Sequence, residues 1–327
     1  MSDNQIFERV AIIGIGLIGS SVALAVRANG LAGHVACHDA DADVRARAAA
    51  LDIVDSMHAD TAGAVTGADL VVVATPVGAC GTVAAAMRDH LRAGAIVTDV
   101  GSVKGAVVAA MGPHMPKGVH LVPGHPVAGT EHSGPEAGFA ELFRHRFSIL
   151  TPPPGADADA VARLEAFWQG MGADVEIMDA EHHDRVLAIT SHLPHLIAYT
   201  IVGTASDLET ELEAKSRDDE VVTTREVIKY SAGGFRDFTR IAASDPVMWR
   251  DVFLLNKDAV LEMLGRFSED LTAMRRSIRH DDGDALFELF SRTRDIRRGV
   301  IEAGQAGRFQ YTENGDPGHD ASEEDAS

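Results

Sequence analysis

Apolar residues fall into two regimes along the chain. As far as about residue 180 they gather in short runs, at residues 9–14 (RVAIIG), 34–38, 70–74 (LVVVA), 94–98, 119–122, 147–150 and 174–178, each the length of a buried strand. Stretches with helical spacing lie between them, at residues 20–29, 83–91, 105–111 and 158–171, with Gly30 placed to close the first. Strand and helix in alternation predict an open, parallel-rich α/β sheet of the Rossmann type. Beyond Glu181 the strand signal stops. Residues 181–206 read as one long apolar-periodic helix that Pro194 should kink. Residues 221–231 form a possible helix ended by Gly233 and Gly234, and another helix opens at Pro246 under a Ser244 or Asp245 cap. Residues 261–279 and 284–303 are long and amphipathic.

This pattern predicts three segments: a Rossmann domain over residues 1–180, an all-α domain over 181–308, and a tail over 309–327. The tail holds Glu313, Asp316, Asp320, Glu323, Glu324 and Asp325 without a single Lys or Arg, which predicts disorder. Residues 207–220 are acidic and expected to be exposed. The amphipathic helices offer more apolar faces than one α/β domain can cover, so a homodimer built through the helical half is expected.

Within the first regime, Gly14-Ile15-Gly16-Leu17-Ile18-Gly19 sits between strand and helix, and Asp39 ends the second strand twenty positions after Gly19. Glycines in that setting allow a tight turn, backbone approach to a pyrophosphate and close helix packing, while the acid takes the adenosine ribose. Asp39 would repel a 2′-phosphate, so NAD is the expected cofactor. Thr75 and Pro76, after the 70–74 strand, lie where the nicotinamide half would pass, and Asp99 ends the next strand. Arg45 and Arg47 read as solvated helix charges.

Downstream, Asp99-Val100-Gly101-Ser102-Val103-Lys104 and Gly124-His125-Pro126-Val127-Ala128-Gly129-Thr130-Glu131 both follow strand-like runs. Ligands bind at such carboxyl ends. An imidazole beside a hydroxyl suits proton transfer near neutral pH, and the prolines on either side of His125 hold its backbone extended. Ser102 reads equally as a helix N-cap or as part of the catalytic shell. Arg240, among Phe235, Phe238 and Ile241, suits a carboxylate, unless it is consumed by Asp237 or Asp245. His192 and His195 share a helix face, and with Glu181, His182, His183 and Asp184 upstream they invite a metal reading. No HExxH or cysteine cluster accompanies them, and no metal is expected.

Composition narrows the classes. A formal charge of −20 argues against a nucleic-acid partner. Cys37 and Cys80 are the only cysteines, residues 1–7 lack a secretory pattern, and no apolar run approaches the ~20 residues that span a bilayer. The expectation is a soluble cytoplasmic protein with free thiols and no membrane partner.

Taken together, the motifs GxGLIG, ATPV, DVGSVK, GHPVAGTExSG, SHLPH and GFRDFTRIAxSDPxMW resemble those of the TyrA family, the prephenate, cyclohexadienyl and arogenate dehydrogenases, across roughly residues 8–300. That likeness implies a Rossmann domain followed by a helical dimerisation domain. It implies NAD-dependent oxidative decarboxylation of prephenate to 4-hydroxyphenylpyruvate in tyrosine biosynthesis, or of arogenate to tyrosine, with tyrosine as a possible feedback inhibitor. By likeness, His125 takes the ring-hydroxyl proton, Ser102 assists it, Arg240 holds a substrate carboxylate and His195 lines the side-chain pocket, with His192 beside it. Glu131, Asp237 and Trp249 match positions that shape or gate that pocket. With Arg240 or Glu131 as its neighbouring charges, His125 is expected to titrate within roughly 5.5–7.5. No mutase-like segment precedes the glycine loop, so a single-activity enzyme is expected. Among rival readings, a 6-phosphogluconate-type reductase would need a catalytic lysine such as Lys229 or Lys257, a 2-hydroxyacid-type reductase would need an arginine-acid-histidine set, and an NAD-binding sensor would bind NADH without turnover.

Overall fold

The computed structural model describes residues 4–215 and 232–302. The possible helix at 221–231, part of the acidic stretch at 207–220, Lys229 and the tail at 309–327 therefore lie outside the described residues. Six parallel strands form the main sheet: β1 (Phe7–Ile13), β2 (Ala32–His38), β3 (Ser56–Met57), β4 (Leu70–Val73), β5 (Ile96–Asp99) and β6 (His120–Leu121). Their order is β3-β2-β1-β4-β5-β6, the doubly wound arrangement with its switch point between β1 and β4. The strands are continuously apolar because both faces are covered. Val10, Ile12, Leu70 and Val72 enter one core with Phe167 and Trp168, while Ala11, Ile13, Val71 and Val73 enter the other with Met87 and Val107.

Helices α1 (Leu17–Asn29), α2 (Ala42–Ala50), α3 (Thr61–Val65), α4 (Cys80–Met87) and α5 (Lys104–Met111) connect these strands. Gly30 ends α1 in the left-handed region, at φ 64°. The α2–β3–α3 stretch carried no clear signal. Its helix is Ala-rich and its strand two residues long, so the cues reduce to the caps Asp41 and Asp60.

A second sheet gives His125 its setting. β7 (Gly124–Pro126) pairs antiparallel with β8 (Phe147–Leu150), which pairs parallel with β9 (Asp174–Ile177) after α6 (Ala158–Gly170). His125 lies opposite Ile149. The extended backbone expected from the two prolines is thus a strand position.

The run from α7 (Ala180–Leu187) through a π turn (Ala188–His192) to α8 (Leu193–Lys215) is the expected long helix, and its irregularity falls just before Pro194. Pro194 has no N–H to return to residue 190, and the wider turn absorbs that lost bond. By length and composition the span Ala180–Glu211 could cross a membrane, which corrects the expectation that no apolar run is long enough. Its buried positions include His183, Asp184, Leu187, Ala188, His192, Leu193 and Ala198, and α7 packs on the helix Lys104–Met111. Those positions are built for protein contact.

Gly233 and Gly234, expected to end a helix, instead open α9 (Gly233–Thr239). Asp245 caps α10 (Pro246–Leu255), accepting from Met248 N at 2.8 Å. The chain forms two compact units, Met1–Leu264 and Gly265–Ser327, and every residue of the candidate site belongs to the first. The second holds the end of α11 (Lys257–Arg279) and α12 (Gly283–Glu302). There Leu271, Ile278, Phe287, Phe290 and Ile296 are exposed.

Candidate active site

The glycine turn opens the site. Gly14 has φ 96°, and a Cβ there would meet the Ala74 carbonyl oxygen at 2.6 Å. A Cβ on Gly19 would strike the Gly14 carbonyl oxygen, so this glycine sets how closely α1 approaches β1. Around Gly16 a Cβ would meet nothing within 4 Å, and Gly16 caps α1 without any side-chain acceptor for the first-turn amides of Leu17 and Ile18. Free amides, open space and no acid in that turn suit an anionic group such as a pyrophosphate. Asp39 accepts from Ile15 N at 2.9 Å and so ties the second strand to the turn. Thr75 lies on the loop after β4, with Oγ1 buried and unpartnered, and Pro76 beside it is exposed. These residues fit a dinucleotide. Arg47 is bound to Glu136 at 2.9 Å rather than simply solvated.

Asp99, grouped above with the cofactor contacts, is fully buried and committed to the protein. It accepts from Gly101 N at 2.8 Å, Gly124 N at 3.2 Å and Lys104 Nζ at 2.5 Å. Lys104, equally buried, also donates to the Gly124 carbonyl at 2.6 Å. The ion pair therefore clamps the DVGSVK loop to the strand bearing His125. Ser102 is half-buried on that loop, and it is not the helix cap, because Val103 occupies the N-cap position. The cap comes from another element: Asp184 of α7 accepts from Lys104 N at 2.7 Å and Gly105 N at 2.8 Å.

His125 is buried, and its Nδ1 lies 2.8 Å from His183 Nε2; His183 Nδ1 in turn lies 2.8 Å from Asp184 Oδ1. Burial first, then His183, Lys104 and His192, hold the His125 pKa well below the usual histidine value. Arg240 and Glu131 are not among the charges that set it, which corrects the expected range. Asn256 Nδ2 donates to the Asp184 carbonyl at 2.9 Å and to His192 Nδ1 at 3.1 Å. That bond leaves the proton of neutral His192 on Nε2, which is buried toward the Ser102 backbone. Burial, opposed by Asp184, lowers His192 to about 4.

His195 donates from Nδ1 to the Ser191 carbonyl at 2.9 Å, leaving Nε2 as an acceptor. Its ring stacks on Trp249 with centroids 3.7 Å apart. Burial lowers the His195 pKa, and Arg240 adds to the effect against the Ser191 carbonyl. Arg240 pairs with Glu131 at 3.0 Å, and neither Asp237 nor Asp245 consumes it. Asp237 is exposed on α9.

Sequence reasoning missed Lys104, Asn256 and the His183–Asp184 pair as site residues. The available signal was the His-Asp doublet opening α7, which had suggested a metal. Among the described residues no group of three or more His, Cys, Asp or Glu is placed to hold one.

A Rossmann sheet with an anion-ready glycine turn, and in the same compact unit a buried histidine and an exposed arginine, defines a nucleotide-binding fold with groups suited to proton transfer on an anionic substrate. Residues 22–177 match the family model for the prephenate dehydrogenase nucleotide-binding domain, and residues 179–292 match that for the prephenate dehydrogenase dimerization domain. The chain belongs to the prephenate dehydrogenase family. A cyclohexadienyl dehydrogenase of Zymomonas mobilis is 44% identical over 292 residues, covering 89% of this chain and 96% of the relative. A prephenate dehydrogenase of Bacillus subtilis is 33% identical over 302 residues, covering 91% and 77%. The crystal structure of the A. aeolicus prephenate dehydrogenase with hydroxyphenyl propionate and NAD+ has a TM-score of 0.79 at 33% identity, over 90% of this chain and 98% of that one.

Proposed function

We propose that this chain is a cytoplasmic, NAD-dependent dehydrogenase that converts prephenate to 4-hydroxyphenylpyruvate, and that it also accepts arogenate. The observation carrying this reading is His125, buried beside the DVGSVK loop and held neutral by its surroundings, in the same unit as the glycine turn and Arg240. The 44% identical cyclohexadienyl dehydrogenase favours the dual-substrate form.

In this reading Gly16, the α1 amides and Asp39 hold the cofactor, with Thr75 and Pro76 along its nicotinamide half. NAD supplies the hydride acceptor. Arg240 draws a substrate carboxylate to the rim, where Glu131 must release it, and Asp237 and Trp249 shape the entrance. His125 Nε2 takes the ring-hydroxyl proton while Ser102 orients that hydroxyl. His195 Nε2 is an acceptor toward the substrate side chain, with His192 beside it. Loss of carbon dioxide then aromatises the ring and makes the step irreversible.

NADH formation measured with prephenate and arogenate, each with NAD and NADP, tests the assignment. Turnover with neither substrate would refute it. Tyrosine, which shares the aromatic ring and carboxylate of the products, is expected to compete with either substrate in the same assay. We further propose a homodimer through the helical half, supported by the exposed Phe287, Phe290, Ile278 and Ile296. A mass of about 35 kDa by light scattering, with full activity, would exclude it.

A further inference from the structure

The chain His125–His183–Asp184 has only one proton between each pair of heavy atoms, and its direction can be worked out. Asp184 accepts from two backbone amides at the start of α5, and a carboxylate engaged in this way has no proton to give. The proton in the 2.8 Å contact with His183 must therefore sit on His183 Nδ1. A neutral His183 then presents a bare Nε2. The proton in the 2.8 Å contact between the two rings is left to His125 Nδ1, and His125 Nε2 is bare. That is the tautomer a base needs.

We infer that His183, oriented by Asp184, is a positioning residue that fixes His125 as the Nδ1–H tautomer and receives its second proton when the base is used. The inference rests on the reading of His125 as the base. The step balances as follows. The substrate hydroxyl proton bonds to His125 Nε2, the Nδ1–H proton of His125 crosses to His183 Nε2, and the electron pair of the substrate C–H bond leaves as hydride to nicotinamide. The imidazolium formed on His183 keeps its Nδ1–H bond to the Asp184 carboxylate, and His125 ends neutral as the Nε2–H form. The groups facing His125 favour this outcome. Lys104 and His192 disfavour positive charge on His125, whereas the carboxylate lies against the far side of His183. Asp99 is paired with Lys104 and is not among the charges that act on His125. Without the relay, a cation would have to remain on the ring beside an ammonium.

The wild-type enzyme decides the tautomer directly. Ring-15N histidine labelling, with His125 assigned by its loss in His125→Asn, should show a protonated Nδ1 and an unprotonated Nε2 at neutral pH. A protonated Nε2 in the resting enzyme would overturn the inference. His183→Gln and His183→Phe should lower kcat on the order of 10²-fold with KM and NAD affinity within about twofold. Unchanged kcat in a folded variant would likewise overturn it. If neither variant folds, the wild-type spectrum alone decides. Full activity in His125→Asn would instead remove the base assignment itself, a failure distinguishable from a wrong tautomer.

Discussion

Lys104→Met tests how the DVGSVK loop is held. The substitution keeps a long apolar stem but removes an ammonium that is fully buried and bound to both Asp99 and the Gly124 carbonyl. Asp99 would keep the amides of Gly101 and Gly124 at 2.8 and 3.2 Å, yet carry an uncompensated charge away from water. Removing one partner of a buried pair costs about 3–5 kcal/mol. The orphaned Gly124 carbonyl adds about 1 kcal/mol or more, offset in part by methionine packing. Urea unfolding at one fixed protein concentration should therefore show a loss of about 3–5 kcal/mol. The double variant Asp99→Asn/Lys104→Met, which buries no charge, should lose less than the single one. A single-variant loss below about 1 kcal/mol, or a double variant worse than the single, would refute the idea that the charge pair clamps the loop.

In the proposed mechanism neutral His125 is the working form, and its pKa is lowered by burial, His183, Lys104 and His192, so the acidic limb of kcat/KM should lie below the ordinary histidine value near 6.5. A limb at or above pH 7 would contradict that environment. For the same group the unfolded chain gains a proton first, so urea stability should decline as pH falls below about 6.5, and a flat profile would contradict it. Arg240→Gln should raise KM for either substrate about tenfold or more while leaving NAD affinity nearly intact, and an unchanged KM would reduce Arg240 to a partner of Glu131. Asp39→Ser should weaken NAD binding by roughly 1.5–3 kcal/mol and narrow the preference over NADP, and titration of cofactor fluorescence would expose a neutral effect.

The sequence made legible what depends on local spacing. The glycine turn, Asp39, the apolar strands and the Pro194 irregularity all sit where near-neighbour chemistry puts them. Two features escaped because their cause lies far along the chain. His183 meets His125 across 58 residues, and Asp184 caps α5 across about 80. Nothing near Ser102 announces that its helix borrows a cap, so the serine looked as much like a cap as a catalytic group. Asp99 occupied the place of a cofactor ligand, and only the burial of Lys104 opposite it reveals a scaffold. The extended backbone at His125 was readable from its prolines, whereas its strand partner β8 was not.

The borrowed cap also bears on how this chain can be recombined. A crossover placed at the seam between the two family segments, near residue 178, would separate Asp184 from Lys104 and Gly105, and His183 from His125. A chimera that takes its first half from one relative and its second from another joins two surfaces never selected together. These contacts lie across that seam, so the exchangeable unit for an engineer is α5, β7 and α7 moved as one block.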